Sequence, residues 1–244
     1  MSIKKIKPGK RAVTEEQKAA RLHMILDKAL NLFARCSLDQ VSMELIADKM
    51  GLAKGTLYLY FKSKEELFWA IKERAYREWF EKIGEKLKGS PKPEDVIARI
   101  GWFAKIVCNQ LKEKKDVVRL ITSAHHLLES GIDPSKIVEA NENCGRSLLD
   151  IGRKIERTFG FLKEGQGVGV LLHVKAAIIG LQHVTEPAPL IRELIRKQKA
   201  GPELRIFQLS FEGELSLAIQ THLLGLKCMN EKIPGISDSE TAWN

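Results

Sequence analysis

Apolar residues recur every three or four positions along most of the chain, which is the repeat of amphipathic α-helices. In the segment 14–34 the apolar stripe comprises Leu22, Ile25, Ala29 and Phe33. The same repeat predicts helices over residues 43–50, 54–61, 63–87, 95–111, 116–129, 135–159, 167–184, 188–199 and 202–226. Because no segment shows the two-residue alternation of a β-strand, the pattern predicts an all-α fold.

Capping residues mark where several of these helices begin. Two pairs have the spacing of a capping box, Thr14 with Gln17 and Ser63 with Glu66. Ser42 stands just before the apolar face of residues 43–50 and is an N-cap residue type. The stretch 88–93 contains Gly and Pro, ends the long helix 63–87, and predicts a boundary between two parts of the chain.

The stretch 42–64 has the layout of a helix-turn-helix. Gly51 follows the first helix, and Gly is the residue that takes a positive φ and ends a helix. A short connection leads to the second helix, where Leu57 and Phe61 lie one turn apart and are expected to dock on the first. Two helices joined by a short Gly-containing turn form the DNA-binding helix-turn-helix.

Charge along this stretch favours a nucleic-acid partner. The chain carries a formal net charge of +9. Within the motif no acidic residue lies between Lys49 and Lys64, while Lys54 and Lys62 add two further positive charges. Such a run is an electrostatic footprint for phosphate. An ordinary helical hairpin with a solvated basic face has the same spacing, so the pattern alone leaves both interpretations open.

The sequence GLAKGTLYLYFKSKEEL, residues 51–67, resembles the signature of the tetracycline-repressor (TetR) family of bacterial transcription regulators. The resemblance extends back through residues 25–34. It implies an N-terminal three-helix DNA-binding domain with a helix-turn-helix, followed by a helical ligand-sensing and dimerisation domain. The implied function is a repressor that a small-molecule ligand releases from a palindromic operator. A DNA organiser that acts through a protein partner, without a small ligand, is the alternative.

The resemblance and the boundary signals together predict the division of the chain. The predicted parts are a basic disordered arm, 1–13; a helix-turn-helix domain, 14–62; a connecting helix, 63–88; a ligand-binding and dimerisation domain, 94–228; and a flexible tail, 229–244. The arm contains five basic residues and no acid, so it either lies along DNA or serves as a solubilising tail.

Roles in DNA binding are carried over from the family to matching positions of this sequence. The positions implied to face base edges are Lys54, Gly55 and Tyr58. The positions implied to meet phosphates are Ser42, Thr56, Tyr60 and Lys64, with Lys62 supplementary. Ala53 departs from the Ser or Thr often found there, so the second helix is expected to lack a side-chain cap.

The second half offers weaker predictions. The resemblance implies a homodimer through the last two major helices, 167–184 and 202–226, whose stripes are Val170, Leu171, Val174, Ile178 and Leu181, and Leu209, Leu215, Ile219 and Leu223. The expected ligand is small and mostly apolar, of unknown identity. Trp102 and Phe103 are candidates for its apolar wall. Side chains that can orient it by hydrogen bonds are Gln110, His125, His126 and His173.

Other classes of function find little support. Catalytic and phosphate-binding sequence motifs are missing, so no enzyme and no cofactor are expected. The cysteines Cys36, Cys108, Cys144 and Cys228 lie far apart without His at ligand spacing, which argues against a metal site. No apolar run reaches the length of a membrane span, because the longest, around residues 168–181, is interrupted by His173 and Lys175. No secretory signal is evident, so we expect a cytoplasmic protein without membrane contact.

Overall fold

The computed structural model describes residues 14–34, 38–89, 92–112, 114–123, 131–186, 189–197, 201, 203 and 208–231. Its α-helices are α1 (Glu15–Phe33), α2 (Met43–Met50), α3 (Lys54–Tyr58), α4 (Lys64–Gly89), α5 (Val96–Lys112), α6 (Lys115–Ser123), α7 (Pro134–Phe159), α8 (Gln166–Thr185), α9 (Pro189–Arg196) and α10 (Phe211–Asn230). These described residues contain no strand, and the predicted all-α class is confirmed. The basic arm 1–13, Cys36, His125, His126 and most of the tail lie outside the described residues.

The chain divides into two compact units. The first contains residues 1–78 and 114–144, and the second contains residues 79–113 and 145–244. Both α4 and α7 contribute residues to each unit without a break in the helix. The domain boundaries predicted above stay a prediction.

The core of the first unit forms where α1 packs on α2 and α6, and α2 packs on α3. Its fully buried side chains include Ile25, Phe33, Ile46, Leu57, Leu67 and Phe68. Arg119 of α6 donates hydrogen bonds to the carbonyl oxygens of Phe33 (3.2 Å) and Ala34 (3.4 Å). The free carbonyl groups at the end of α1 therefore have a cationic partner, which also stabilises the negative end of the helix dipole.

The core of the second unit is centred on α10, which packs against α5 and α8. On α5, Phe103 packs edge-on against Phe159 of α7, with ring centroids 5.7 Å apart. Most of the predicted stripe residues are buried within a single chain: Val170, Leu171, Val174, Ile178, Leu215, Ile219 and Leu223. Leu181 is half-buried and Leu209 is exposed. The buried stripe residues belong to the core of one chain, and the dimer through these two helices stays a prediction.

Helices α7 and α8 approach each other through two glycines. A Cβ added to Gly167 would lie 2.1 Å from the carbonyl oxygen of Gly152, which is far inside van der Waals contact. By contrast, an added Cβ at Gly169 meets nothing within 4 Å. The close helix contact inside the chain thus depends on Gly152 and Gly167, which the sequence interpretation did not single out.

Two predicted helix limits are wrong. Helix α3 ends at Tyr58 instead of residue 61, because the N–H groups of Tyr60 and Phe61 both bond the carbonyl oxygen of Leu57 and the chain turns there. Helix α10 begins at Phe211 instead of residue 202. Ser210 accepts a hydrogen bond from the N–H of Gly213 at 3.2 Å and thus supplies the N-cap of this later start.

Of the two predicted capping boxes, the one at α1 is complete and the one at α4 is present only in part. At α1, Thr14 and Gln17 make both reciprocal bonds, so this prediction is confirmed. At α4, Ser63 accepts from the N–H of Glu66 at 3.1 Å, as expected. The Glu66 carboxylate, however, accepts from the N–H of Lys62 at 2.6 Å, one residue earlier than the standard box requires.

Candidate functional site

Helix α2, the first helix of the candidate DNA-binding motif, is closed at both ends by local contacts. The Oγ atom of Ser42 accepts a hydrogen bond from the N–H of Leu45 at 3.1 Å. Gly51 adopts a φ of 62°, and the N–H of Leu52 returns to the carbonyl oxygen of Ala47 at 3.0 Å. These contacts confirm the predicted cap and turn, which set the direction in which α3 leaves α2.

Helix α3 is held in place by buried apolar side chains, and its other residues are exposed or half-buried. Leu57 is fully buried, and Phe61, just beyond the helix, is buried with it. Lys54 and Gly55 are exposed, and Tyr58 keeps 41 % of its surface accessible. A Cβ added at Gly55 meets nothing within 4 Å. The residues predicted to face bases therefore share one open surface, which we call the α3 face: Lys54, Gly55 and Tyr58.

The positions predicted to meet phosphates lie around this face and differ in their exposure and in their hydrogen bonds. Ser42 and Lys62 are exposed, whereas Thr56 and Tyr60 are half-buried. The ammonium group of Lys64 donates to the carbonyl oxygen of Leu38 at 3.1 Å. Lys64 thus links the start of α4 to the segment before α2, a contact that the sequence interpretation missed.

An acidic residue stands next to the α3 face. Glu44, in the first turn of α2, forms an ion pair with Lys54. The hydrogen bond from Lys54 lowers the pKa of Glu44, and the same bond raises the pKa of Lys54. The sequence pattern did not predict this pair, because Glu44 lies before the acid-free stretch between Lys49 and Lys64. The preference of helix N-termini for acids was the available signal.

The turn after α3 is tied to the start of α7 through Glu66. One carboxylate oxygen of Glu66 accepts from the N–H of Lys62, and the other pairs with the ammonium group of Lys136. Partial burial acts to raise the pKa of Glu66, but the hydrogen bonds from Lys136 and Lys62 outweigh it, so the pKa lies below its ordinary value. All three residues belong to the first unit.

The candidate ligand-binding residues are distributed over more than one place. On α5, Phe103 is fully buried, Trp102 is half-buried, and Gln110 lies on the same helix face as Phe103, seven residues further on. Both amide atoms of Gln110 are buried, and the structure gives them no hydrogen-bond partner among the residues it describes. His125 and His126 lie outside the described residues.

His173 is placed elsewhere in the second unit, in a cleft of about 190 Å³ between α8 and α10. The cleft is lined by Val170, His173, Val174, Ala177, Ala218, Ile219 and His222. The rings of His173 and His222 stack, with centroids 4.3 Å apart. Trp102, Phe103 and Gln110 are not part of this lining, and His222 was not among the sequence candidates.

The outer surfaces of α8 and α10 are unusually apolar. On α8 the exposed positions include Leu172, Ala176, Gly180 and Val184, and on α10 they include Leu217, Gly225, Cys228 and Met229. Within the described residues, α8 has the length and composition that a membrane-crossing helix requires, and 28 % of that stretch is buried. A single such helix is weak support for a membrane span. The apolar outer positions of these two helices are hereafter the α8–α10 face.

Comparison with known families decides the identity of this architecture. Residues 25–71 match the family model described as bacterial regulatory proteins, tetR family. Residues 73–230, more than half of the chain, match the model described as tetracyclin repressor-like, C-terminal domain. The chain belongs to the TetR family. It is therefore a helix-turn-helix, DNA-binding transcription regulator of the repressor type.

Curated relatives of this TetR-family regulator align over a limited stretch. The fatty acid metabolism regulator protein of Bacillus subtilis is 28% identical over 85 residues, 35% of this chain and 44% of the relative. An HTH-type transcriptional repressor of Mycobacterium tuberculosis is 32% identical over 59 residues, 24% of this chain and 32% of the relative. In both cases the chain spans less than half the length of the relative.

Solved structures resemble the TetR-family chain over nearly its whole length. A protein from Syntrophomonas wolfei described as a TetR-family transcriptional regulator has a TM-score of 0.56 at 15% identity, covering 90% of this chain and 100% of that one. SmeT, the repressor of the Stenotrophomonas maltophilia multidrug efflux pump SmeDEF, has a TM-score of 0.51 at 18% identity, covering 88% and 94%. At these identities the likeness shows the shared fold.

Proposed function

We propose that this TetR-family regulator binds a palindromic operator as a homodimer in the cytoplasm and that a small ligand releases it. The observation that carries the proposal is the α3 face, where Lys54, Gly55 and Tyr58 are open to solvent beside a rigidly closed α2. In the helix-turn-helix geometry the second helix enters the major groove with its N-terminal residues toward base edges.

The chemistry of the α3 face supports base reading. A lysine ammonium suits the O6 and N7 acceptors of guanine, and a tyrosine ring can contact a thymine methyl group or a base edge. Gly55 lets the helix backbone approach the groove closely because no Cβ stands in the way. Phosphate contacts from Ser42, Thr56, Tyr60, Lys62 and Lys64 would set the position without selecting sequence. Nothing in these contacts requires catalysis, and we propose none.

The partner of the α8–α10 face, in our proposal, is a second copy of the chain. The outward positions Leu172, Ala176 and Gly180 on α8 are small or apolar and continue onto Leu217 and Gly225 on α10. An added Cβ at Gly180 or Gly225 meets nothing within 4 Å, so these positions leave room for a close helix neighbour. Two such faces would form a four-helix bundle with two-fold symmetry.

A two-fold dimer implies a two-fold operator. Each copy would place one α3 in the major groove, with half-sites about 34–36 Å apart or a near multiple of that distance. Bound ligand would then weaken DNA binding by the same factor by which bound DNA weakens ligand binding, because coupling of binding free energies is reciprocal. Both α4 and α7 run from one compact unit into the other without a break, so they are the proposed route of that coupling.

The ligand proposal depends on Gln110. A buried amide without a partner costs about 1–3 kcal/mol, and its position on the face of Phe103 directs it into the apolar interior of the second unit. A mostly apolar molecule with one polar group that both donates and accepts a hydrogen bond would satisfy it. Gln110→Leu should therefore raise the melting temperature of the ligand-free protein and abolish the shift that a bound metabolite produces.

The experiment that tests DNA recognition compares Lys54→Ala with Lys82→Ala, an exposed lysine of α4 outside the first unit. Both variants are titrated against the selected operator and against single-base variants of each half-site. Lys54→Ala should lose discrimination by about 1–3 kcal/mol at one base pair per half-site, while Lys82→Ala keeps the wild-type pattern. Equal weakening on all duplexes by Lys54→Ala would refute the base-reading role.

A further inference from the structure

Leu59, the residue that follows α3, is the most exposed large apolar side chain among the residues that the structure describes. It keeps 84% of its surface accessible. Single exposed leucines are common on protein surfaces, so exposure alone assigns no role to this one. Its direction relative to the buried side of α3 distinguishes it from the others.

Leu59 continues the outward side of α3. Its backbone stays helical, with a φ of −69° and a ψ of −24°, although the helix itself ends at Tyr58. Successive helical residues are about 100° apart around the axis, so Gly55 and Leu59 point about 160° and 200° away from the buried Leu57. Both therefore lie opposite the side on which α3 packs, whereas Tyr58, about 100° from Leu57, lies to one side.

The backbone at Gly55 and the side chain of Leu59 share this outward side. Gly55 is exposed, and a Cβ added there meets nothing within 4 Å. Leu59 follows one turn later, about 6 Å further along the axis. A duplex that approaches the backbone at Gly55 therefore meets the side chain of Leu59 about two base pairs further on, since base pairs are about 3.4 Å apart.

The charges near Leu59 favour an anionic partner over a second copy of the chain. Lys54 and Lys62 are exposed on either side of it in the sequence, and Glu44, paired with Lys54, offsets only one of the two charges. Two copies that met through this surface would bring ammonium groups of like charge together, which is unfavourable. A duplex brings phosphate groups, which these lysines attract.

The chemistry of leucine selects the part of the duplex that it fits. Its side chain neither donates nor accepts hydrogen bonds, so it cannot pair with phosphate oxygens or with the polar atoms of base edges. In the major groove, the apolar group that distinguishes one base from the others is the C5-methyl group of thymine.

We propose that Leu59 reads a thymine methyl group in each half-site of the operator, within about three base pairs of the base pair that Lys54 contacts. Leu59 is then a specificity-determining residue beside the α3 face. The inference rests on the proposed recognition of DNA by α3.

The test replaces thymine by deoxyuridine, which lacks only the C5-methyl group. An operator duplex obtained by selection from a random pool is substituted one symmetric pair of positions at a time, and full-length protein is titrated against each duplex by fluorescence anisotropy at fixed salt. Losing one buried methyl group weakens binding by about three- to fivefold. Substitution in both half-sites should therefore weaken binding on the order of tenfold at the thymine that Leu59 contacts.

Leu59→Ala assigns the effect to this residue. The variant should bind the thymine operator more weakly than wild type and should no longer distinguish thymine from deoxyuridine at that position. Because Leu59 is exposed, its helical circular dichroism and melting temperature should stay close to those of wild type. Leu190→Ala is the matched control, because Leu190 is 66% exposed on α9 in the second unit. The control should keep the full preference for thymine.

The outcomes separate this inference from the proposed function. A wild-type protein that selects no sequence refutes DNA recognition by α3, and the role of Leu59 with it. A selected operator that has no thymine within three base pairs of the Lys54 contact, or that binds equally well in every deoxyuridine form, overturns the role of Leu59 alone. A preference for thymine that persists undiminished in Leu59→Ala also overturns it, because another residue then contacts the methyl group.

Discussion

At the scale of single residues, the α3 face is governed by a competition for Lys54. Glu44 occupies its ammonium group in the free protein, and the ring of Tyr58 lies 5.7 Å from the same nitrogen. Both charged side chains are exposed, so the pair stabilises the fold very little. Its importance is for DNA binding, because duplex phosphates would repel the Glu44 carboxylate while attracting Lys54.

Glu44→Gln should therefore strengthen DNA binding. The substitution removes one negative charge beside the α3 face and frees the Lys54 ammonium group. We expect severalfold tighter binding at low salt to operator and non-operator duplex alike, with the gain shrinking as salt screens the charge. Glu81→Gln on the exposed surface of α4 is the control. Fluorescence anisotropy over a salt series measures the effect, and unchanged affinity would contradict it.

Thiol chemistry offers a second test at the residue scale. Burial, and secondarily the charge of Glu212, raises the pKa of Cys108 to about 11, while Cys228 is exposed. At pH 8 only on the order of 0.1 % of Cys108 is thiolate, so in dilute, monomeric protein, where the α8–α10 face is open, it should react with a thiol reagent far more slowly than Cys228. Mass spectrometry of partially alkylated protein, comparing these two sites, checks the order of reaction.

The same shift predicts a dependence of stability on pH. Because the folded state holds the Cys108 proton more tightly than the unfolded chain, its contribution is fully present below pH 9 and is lost as pH rises toward 11. Cys108→Ser should flatten the alkaline decline in melting temperature over this window. A decline of identical shape in wild type and variant would show that Cys108 does not contribute to it.

At the scale of elements, the apolar repeat was enough to predict that these helices exist. It did not predict where each helix begins and ends or which helix it packs against. The periodic stripe of α2 and its Gly51 stop were predictable because both signals are local. The start of α10 was missed because Pro202 and Ser210 are both acceptable first-turn signals in the sequence, and no Gly or Pro marks residues 208–210 as non-helical. The link from Glu66 to Lys136 spans 70 residues in sequence, and no local pattern reports it.

The contact between α7 and α8 gives the clearest prediction at this scale. Gly167→Ala should lower the free energy of unfolding by more than about 2 kcal/mol, since its Cβ would collide with the backbone of Gly152. Gly169→Ala, two residues along the same helix, meets open space and should be neutral or slightly stabilising. Urea unfolding of both variants measures the difference, and equal stabilities would disprove the close contact.

At the scale of the whole molecule, the fold class and the DNA-binding motif were predictable, but the dimer face was only partly so. The segments 167–184 and 202–226 overlap α8 and α10, yet most of the apolar stripe residues chosen from sequence, all except Leu181 and Leu209, are buried inside one chain. An almost entirely apolar helix offers two stripes, and periodicity does not say which one faces outward. Burial in the folded chain identified the outer stripe, which the proposed dimer uses.

Leu217→Glu tests that assignment. Leu217 is 59% exposed on α10, so a charge there leaves the fold of one chain intact but would be desolvated without a partner in a dimer. The variant should elute as a folded monomer at concentrations where wild type is a dimer. Leu149→Glu on α7 is the control, because Leu149 is similarly exposed outside the α8–α10 face. A variant that remains dimeric would place the interface elsewhere.

In the proposed function the stretch from Ser42 to Lys64 reads duplex DNA, and two copies of the chain do so together. Selection of bound duplexes from a random pool at moderate salt tests it most directly. We predict enrichment of an inverted repeat whose half-sites lie about one helical turn apart or a near multiple of that spacing. Recovery of no sequence above the competitor background, with and without added metabolites, would contradict it.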